Sequence, residues 1–192
     1  MTVVDVYGAD KTMLATAMTL CSDAEPGDDG QAVGEPTECA LVNYATGLGL
    51  IKTDLKQRLP RIGEAPFDSQ RKMMSTVHRK GNEVVQYTKG APDEVLRRCR
   101  YILDGVVRPI TEEDKKRILE ENKRMADKAL RVLAAAYREY DAAPSDNSPE
   151  NLEKDLVFLG LTGMIDPVRP EVRAAVDECR QAGIKVVMIT GD

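Results

Sequence analysis

The pattern of apolar and polar positions divides the chain into segments of different rhythm. Residues 1–10 carry no clear period, and 11–20 read as a helix. An Asp/Gly/Pro-rich loop follows over 23–34. A second helix opens at Pro36, suited to a first turn, and runs to about residue 45. Residues 72–79 lack Gly and Pro, and 84–89 are rich in Val, Tyr and Thr, so each reads as a strand. Pro92 starts a short helix over 93–100. Thr111 is a good N-cap, with Glu112, Glu113 and Asp114 favoured in the first turn by the helix dipole. Ile118, Leu119, Met125, Ala126, Ala129 and Leu130 then give a helical stripe. Residues 131–137 fit a helix end or a buried strand, and 141–149 read as a polar loop.

The tail has another character. Residues 156–162 form a continuous apolar run, as in a strand buried on both faces. An amphipathic helix over 170–182 ends at Gly183, and 185–190 read as a second buried strand. Strand, helix and strand predict a βαβ unit of a parallel sheet, whose ligands sit at the carboxyl ends of strands. Thr190-Gly191-Asp192 follows directly, so the expectation is a fragment of a larger chain.

The two central strands also predict chemistry. Lys80-Gly81-Asn82-Glu83 lies between them, and Gly first in a two-residue loop fits a type II′ turn. Lys80 then pairs with Glu83, Met74 lies opposite Lys89, and Lys72 lies opposite Ala91. Lys72, Met74 and Lys89 share one face, because side chains alternate. Two ammonium groups beside a thioether suit an anion with an apolar part. Spacing alone favours the plainer reading, a half-solvated hairpin with scattered lysines.

Composition narrows the choice. At 192 residues, one or two domains with a proper core are possible. A formal net charge of −5 argues against a general nucleic-acid binder. No apolar run approaches a membrane span, and no signal peptide opens the chain. Cys21, Cys39, Cys99 and Cys179 lie far apart and read as reduced core residues. His78 stands alone, so a half-exposed strand residue is expected rather than a metal ligand. There is no Gly-x-x-x-x-Gly-Lys-Ser/Thr loop, so a nucleotide would be held by other means. Trp is absent and Phe occurs twice, which makes Phe67 conspicuous in its polar surroundings.

Five segments occur in a fixed order: Gly34-Glu35-Pro36-Thr37-Glu38, Phe67 to Ser75, Lys89-Gly90-Ala91-Pro92, Asp166-Pro167-Val168-Arg169-Pro170 and Met188-Ile189-Thr190-Gly191-Asp192. On these segments the chain resembles P-type cation-transporting ATPases, in particular type II pumps of the calcium-pump kind. The resemblance runs from about Lys11 to Asp192. It implies an α/β nucleotide-binding (N) domain over 1–154, with an antiparallel sheet flanked by helices. Residues 155–192 would be a partial phosphorylation (P) domain segment, the βαβ remnant of a Rossmann-like fold.

The resemblance also implies roles. Phe67 would stack on adenine, worth about 1–3 kcal/mol. Glu38 would accept from the adenine amino group or act through water, Met74 would be a wall of the adenine pocket, and Leu133 would cover the base or ribose. Lys89 would lie deep in the pocket, with Gly90 and Ala91 allowing close backbone approach. Lys72 would face the phosphates, and Arg131 would offer them a planar fork. Ser69 stands where the pumps carry an Arg, so a phosphate contact is lost or passes to Arg71 or Lys72. Asp10-Lys11-Thr12 is similar to the phosphorylated loop, but Met13-Leu14 follow it, so Asp10 reads as a helix cap.

In a full pump the reaction would be phosphoryl transfer from ATP, with Mg²⁺, to an aspartate, through a covalent intermediate. Thr190, Gly191 and Asp192 would approach the phosphoryl group only there. The expected partners are ATP or ADP and the absent P, actuator and membrane domains, with no nucleic acid. The expected place is the cytoplasmic side of an integral membrane protein. The chain alone would bind nucleotide without turnover and could self-associate through its exposed tail. The alternatives are a pump for another cation, a stand-alone nucleotide-sensing module, or a doubly wound soluble enzyme.

Overall fold

A computed structural model describes residues 1–28 and 30–189. The elements run β1 (Thr2–Tyr7), α1 (Lys11–Leu20), β2 (Glu25–Pro26), β3 (Ala32–Val33), α2 (Pro36–Gly47) and α3 (Lys52–Arg58). Next come β4 (Arg61–Asp68), β5 (Met73–Lys80), β6 (Glu83–Gly90), α4 (Pro92–Arg98), β7 (Cys99–Asp104), β8 (Val106–Pro109) and α5 (Glu112–Ala126). The last are β9 (Arg131–Tyr140), α6 (Pro149–Leu152), β10 (Leu156–Ile165) and α7 (Pro170–Gln181).

One sheet has the order β4-β5-β6-β9-β10-β7-β8, with β1 also pairing β10. Every pairing is antiparallel except β10 with β7. The α/β class with a helix-flanked, mainly antiparallel sheet is therefore as expected, and the single parallel pair makes it mixed.

Each face of the sheet has its own core. Leu14, Met18, Leu41, Met74, Val85, Ala135, Tyr137 and Leu159 pack on the face of α1, α2 and α3. Met73, Val95, Ile118, Met125, Ala134, Ala136 and Phe158 pack on the face of α4 and α5. Neighbours such as Ala134 and Ala135, or Phe158 and Leu159, thus go to opposite faces, as pleating requires. That settles residues 131–137 as strand. Burial on both faces removes the polar positions that would reveal a two-residue period.

Local chemistry sets several element ends. Asp10 caps α1, its Oδ1 accepting from Met13 N at 2.8 Å. Thr111 and Asp114 form a capping box on α5. The hairpin register has Lys80 opposite Glu83 and Met74 opposite Lys89, and Gly81 has φ +63°. Residues 1–10 contain β1 instead of an irregular stretch, because pairing with β10 orders it. The helix after Pro92 ends at Arg98, where β7 begins.

The tail departs from expectation. The run from Leu156 is the central strand β10, not the first strand of a βαβ unit. One edge of β10 is taken by β9, and the other is shared by β7 and β1, so no edge is open to a returning strand. The expected boundary at 154/155 thus falls just before the strand that holds the sheet together. Helix α7 forms as expected, with no buried residue. Residues 184–189 form no strand and expose Ile184, Val186, Val187, Met188 and Ile189. The expected strand end and the Thr190-Gly191-Asp192 segment lie outside the described residues.

His78 is buried at 1% exposure, not half-exposed. Its Nδ1 bonds Leu59 O at 2.9 Å and its Nε2 bonds Thr76 Oγ1 at 2.8 Å. Burial pushes its pKa down from 6.5 to about 4. The unfolded imidazole binds a proton more readily, so stability from this group is full above pH 6.5 and is lost as pH falls toward 4. Urea unfolding of wild type and His78→Gln at pH 7 and pH 4.5 should show wild type losing about 1–2 kcal/mol more on acidification. Equal losses would contradict a neutral, buried His78.

Candidate nucleotide site

The hairpin β5–β6, the start of α2, the strand β9 and the segment after α1 converge on one cleft. Its volume is about 550 Å³, within the range of small-molecule sites. Phe67, Met74 and Leu133 give it apolar walls, and Lys72, Lys89 and Arg131 give it positive charge. Asp23, Ala24, Gly34, Glu35, Thr37, Glu38 and Gly90 complete the lining. Phe67 keeps 64% of its surface exposed, an unburied ring at the edge of a charged cleft. A larger groove of about 680 Å³ runs between α4 and α5, but its lining contains no aromatic ring and consists mostly of charged side chains.

The floor is a charge pair. Glu38 sits in the first turn of α2, which begins at Pro36 and is capped by Glu35. The Glu35 carboxylate accepts from Thr37 N at 2.8 Å and Glu38 N at 3.1 Å. Glu38 Oε2 accepts from Asp23 N at 2.7 Å and Ala24 N at 3.0 Å. Its Oε1 meets Lys89 Nζ at 2.5 Å, and Lys89 also donates to Ser22 Oγ at 2.9 Å. The two side chains are 14% and 8% exposed. Removing one partner of such a pair typically costs about 3–5 kcal/mol.

Behind this floor lies a lysine whose role sequence reasoning missed. Lys52, the first residue of α3, is 1% exposed. Its Nζ donates to Ser22 O at 2.8 Å and Ala24 O at 2.5 Å, with Glu25 at 3.7 Å. Burial pulls its pKa below the ordinary lysine value, and the Glu25 charge opposes that shift. Arg61 also holds Ser22 O, at 2.9 Å. These cations fix the backbone that presents the Asp23 and Ala24 amides to Glu38. Nothing in the polar sequence of α3 separates Lys52 from a solvated lysine. Glu35 and Thr37 were also given no role, although they stand inside a segment singled out by its motif.

Among the expected site residues, Glu38, Phe67, Lys72, Met74, Lys89, Gly90, Arg131 and Leu133 come together in the cleft. Lys72 does so differently from expectation. Strand β5 begins at Met73, and Lys72 takes a left-handed turn with φ +55°. Its N–H donates to Asp68 O at 2.7 Å and its carbonyl accepts from Ala91 N at 2.9 Å. Arg131 lies at the start of β9, and its guanidinium donates to Thr37 Oγ1 at 3.0 Å. Ser69 and Ala91 do not line the cleft. Ser69 is exposed in the turn after β4, while Ala91 is the N-cap of α4. Arg71 is not free to replace a phosphate contact, since it is bound to Glu153 and to Pro66 O.

A family model described as "P-type ATPase, cytoplasmic domain N" matches residues 11–171. The Calcium-transporting ATPase 1 of Lactococcus lactis is 42% identical over 192 residues, covering 98% of this chain and 21% of that protein. The Calcium-transporting ATPase 1 of Bacillus cereus is 45% identical over 181 residues, covering 94% and 20%. A calcium-transporting ATPase of Listeria monocytogenes is 39% identical over 209 residues, covering 100% and 24%. The chain belongs to the cytoplasmic N-domain family of the P-type ATPases. It spans between 20 and 24% of the length of these three relatives.

Gly90 tests the packing of this cleft. A Cβ there would lie 2.4 Å from Lys72 O and 2.5 Å from Met73 Cβ. The Lys72 carbonyl is held by Ala91 N and Met73 is paired in β5, so neither yields easily, and Gly90→Ala should lower unfolding stability by about 2 kcal/mol in urea titration. An unchanged midpoint would contradict the close approach of the Lys72 turn to β6.

Proposed function

We propose that this chain binds the adenine end of ATP for a cation-transporting P-type pump, and that the cleft above the Lys89–Glu38 pair is where it does so. The observation that carries this reading is the exposed Phe67 ring set against Met74 and Leu133, over a buried, charged floor. An adenine sandwiched there gains stacking on Phe67 worth about 1–3 kcal/mol. Glu38 Oε1 has a further lone pair available to the exocyclic amine. Lys72 and Arg131 line the same cleft and take the phosphates, Arg131 through its planar fork.

The chemistry lies elsewhere in the pump. Among the described residues no group of three His, Cys, Asp or Glu could hold a metal. In the full pump Mg²⁺ would accompany the triphosphate and neutralise its charge during transfer. The chain holds and orients nucleotide, and the γ-phosphoryl passes to an aspartate of another part of the pump. Thr190, Gly191 and Asp192 approach it only in that assembly. The relatives' names make calcium the proposed cargo, and a membrane-embedded pump with this domain in the cytoplasm the proposed setting. Among the described residues no helix is long and apolar enough to cross a membrane.

ATP titration by calorimetry tests this directly. Phe67→Ala and Lys89→Ala, each confirmed as folded by circular dichroism, should weaken ATP about tenfold or more. Unchanged affinity in both would remove the site. Rapid, stoichiometric release of phosphate by the purified chain would contradict binding without turnover.

The apolar surface from Ile184 to Ile189 fits the same reading, as a face made for the rest of the pump. Isolated, the chain buries that face by self-association. Sedimentation should show concentration-dependent dimers that a chain ending at Ile165 does not form. A strict monomer across the concentration range would count against it.

A further inference from the structure

Phe67 must be held in place by something other than packing, since most of its ring is exposed. The backbone beneath it is irregular. Ala65 pairs with Ser75 and Asp68 with Met73, so β4 takes three steps where β5 takes two. The extra residue is a bulge containing Pro66 and Phe67, a device that re-aims a side chain and leaves the strand locally unpaired. One side chain bridges this bulge. Arg71 donates to Pro66 O at 2.7 Å and lies 4.0 Å from Asp68 Oδ1, so it spans both neighbours of Phe67. Asp68 Oδ1 in turn accepts from the Gln70 and Arg71 amides, both at 2.9 Å.

Arg71 is anchored from behind. Its guanidinium pairs with Glu153, which is 1% exposed and follows α6. Arg71 is the one cation within ion-pair reach of that carboxylate among the described residues. Glu153 Oε1 is also 3.4 Å from Ser75 Oγ, which bonds Thr88 Oγ1 at 2.8 Å. Gln86 donates to Thr88 Oγ1 at 2.9 Å and to Leu152 O at 3.0 Å. This buried relay runs through β5 and β6, the strands that carry Met74 and Lys89. It therefore fixes the bulge relative to the floor of the cleft.

We propose that Arg71 and Glu153 are a positioning pair that sets the Phe67 ring for stacking on the nucleotide base, without touching the nucleotide themselves. This rests on the nucleotide-binding reading above. The pair sets affinity for the base, and hence for any adenine ligand, whatever its phosphates.

A double-mutant cycle on the 192-residue chain tests it, with ATP and adenosine as probes and calorimetry as readout. Arg71→Met should weaken both ligands by about three- to tenfold, and by less than about twofold once Phe67 is Ala. Arg71→Met combined with Glu153→Gln avoids an uncompensated buried charge, and should show the same dependence on Phe67. Loss of the same size with and without Phe67 would make the pair merely structural and overturn the proposal. No loss at all would overturn it too. Weakening of ATP alone, with adenosine unchanged, would make Arg71 a phosphate ligand and equally overturn it. If Phe67→Ala and Lys89→Ala both leave ATP binding unchanged, the nucleotide site itself fails. If Phe67→Ala weakens ATP and the Arg71 variants do not, only the positioning pair fails.

Discussion

The ion pair of Lys89 and Glu38 joins three parts of the chain that lie far apart in sequence. Lys89 comes from the centre of the sheet, Glu38 from the first turn of α2, and both reach the segment after α1 through Ser22, Asp23 and Ala24. An ammonium and a carboxylate at this depth need each other and their extra donors and acceptors, because an unpaired charge there is costly. Their meeting therefore fixes how α2 lies against β6. Lys52 and Arg61 extend the constraint by holding the carbonyls on the far side of the same loop. The cleft exists because these polar requirements stop the apolar core from closing over the end of the hairpin.

The sheet supplies the rigidity for this. Strand β10 has neighbours along both edges and helices on both faces, so the strands beside it have little freedom to shift. Phe67 and Lys72 stand on less regular backbone, a bulge and a left-handed turn. The arrangement divides the work: a stiff, charged floor and a rim whose ring and lysine are placed by local hydrogen bonds. Such irregular backbone is common where a side chain must be aimed at a ligand.

Much of this was legible in the sequence where the signal is local. The Gly81-Asn82 turn dictated the pairing of Met74 with Lys89, and Thr111 and Asp10 announced their helices. Position along the chain could not show burial. His78 and Lys52 read as ordinary polar residues because what covers them comes from distant segments. The run from Leu156 reads as the start of a new unit, since a strand buried on both faces looks the same in any sheet. Arg71 reads as available for phosphate because the carboxylate that holds it, Glu153, lies 82 positions on.

The central claim is that adenine enters the cleft between Phe67 and the Lys89–Glu38 floor. Chemical-shift mapping of the ¹⁵N-labelled chain during ATP titration tests it most directly. Saturable shifts should concentrate at the amides of Asp23, Ala24, Glu38, Phe67 and Gly90, with little change in α5. Shifts centred on the groove between α4 and α5, or none that saturate, would contradict it.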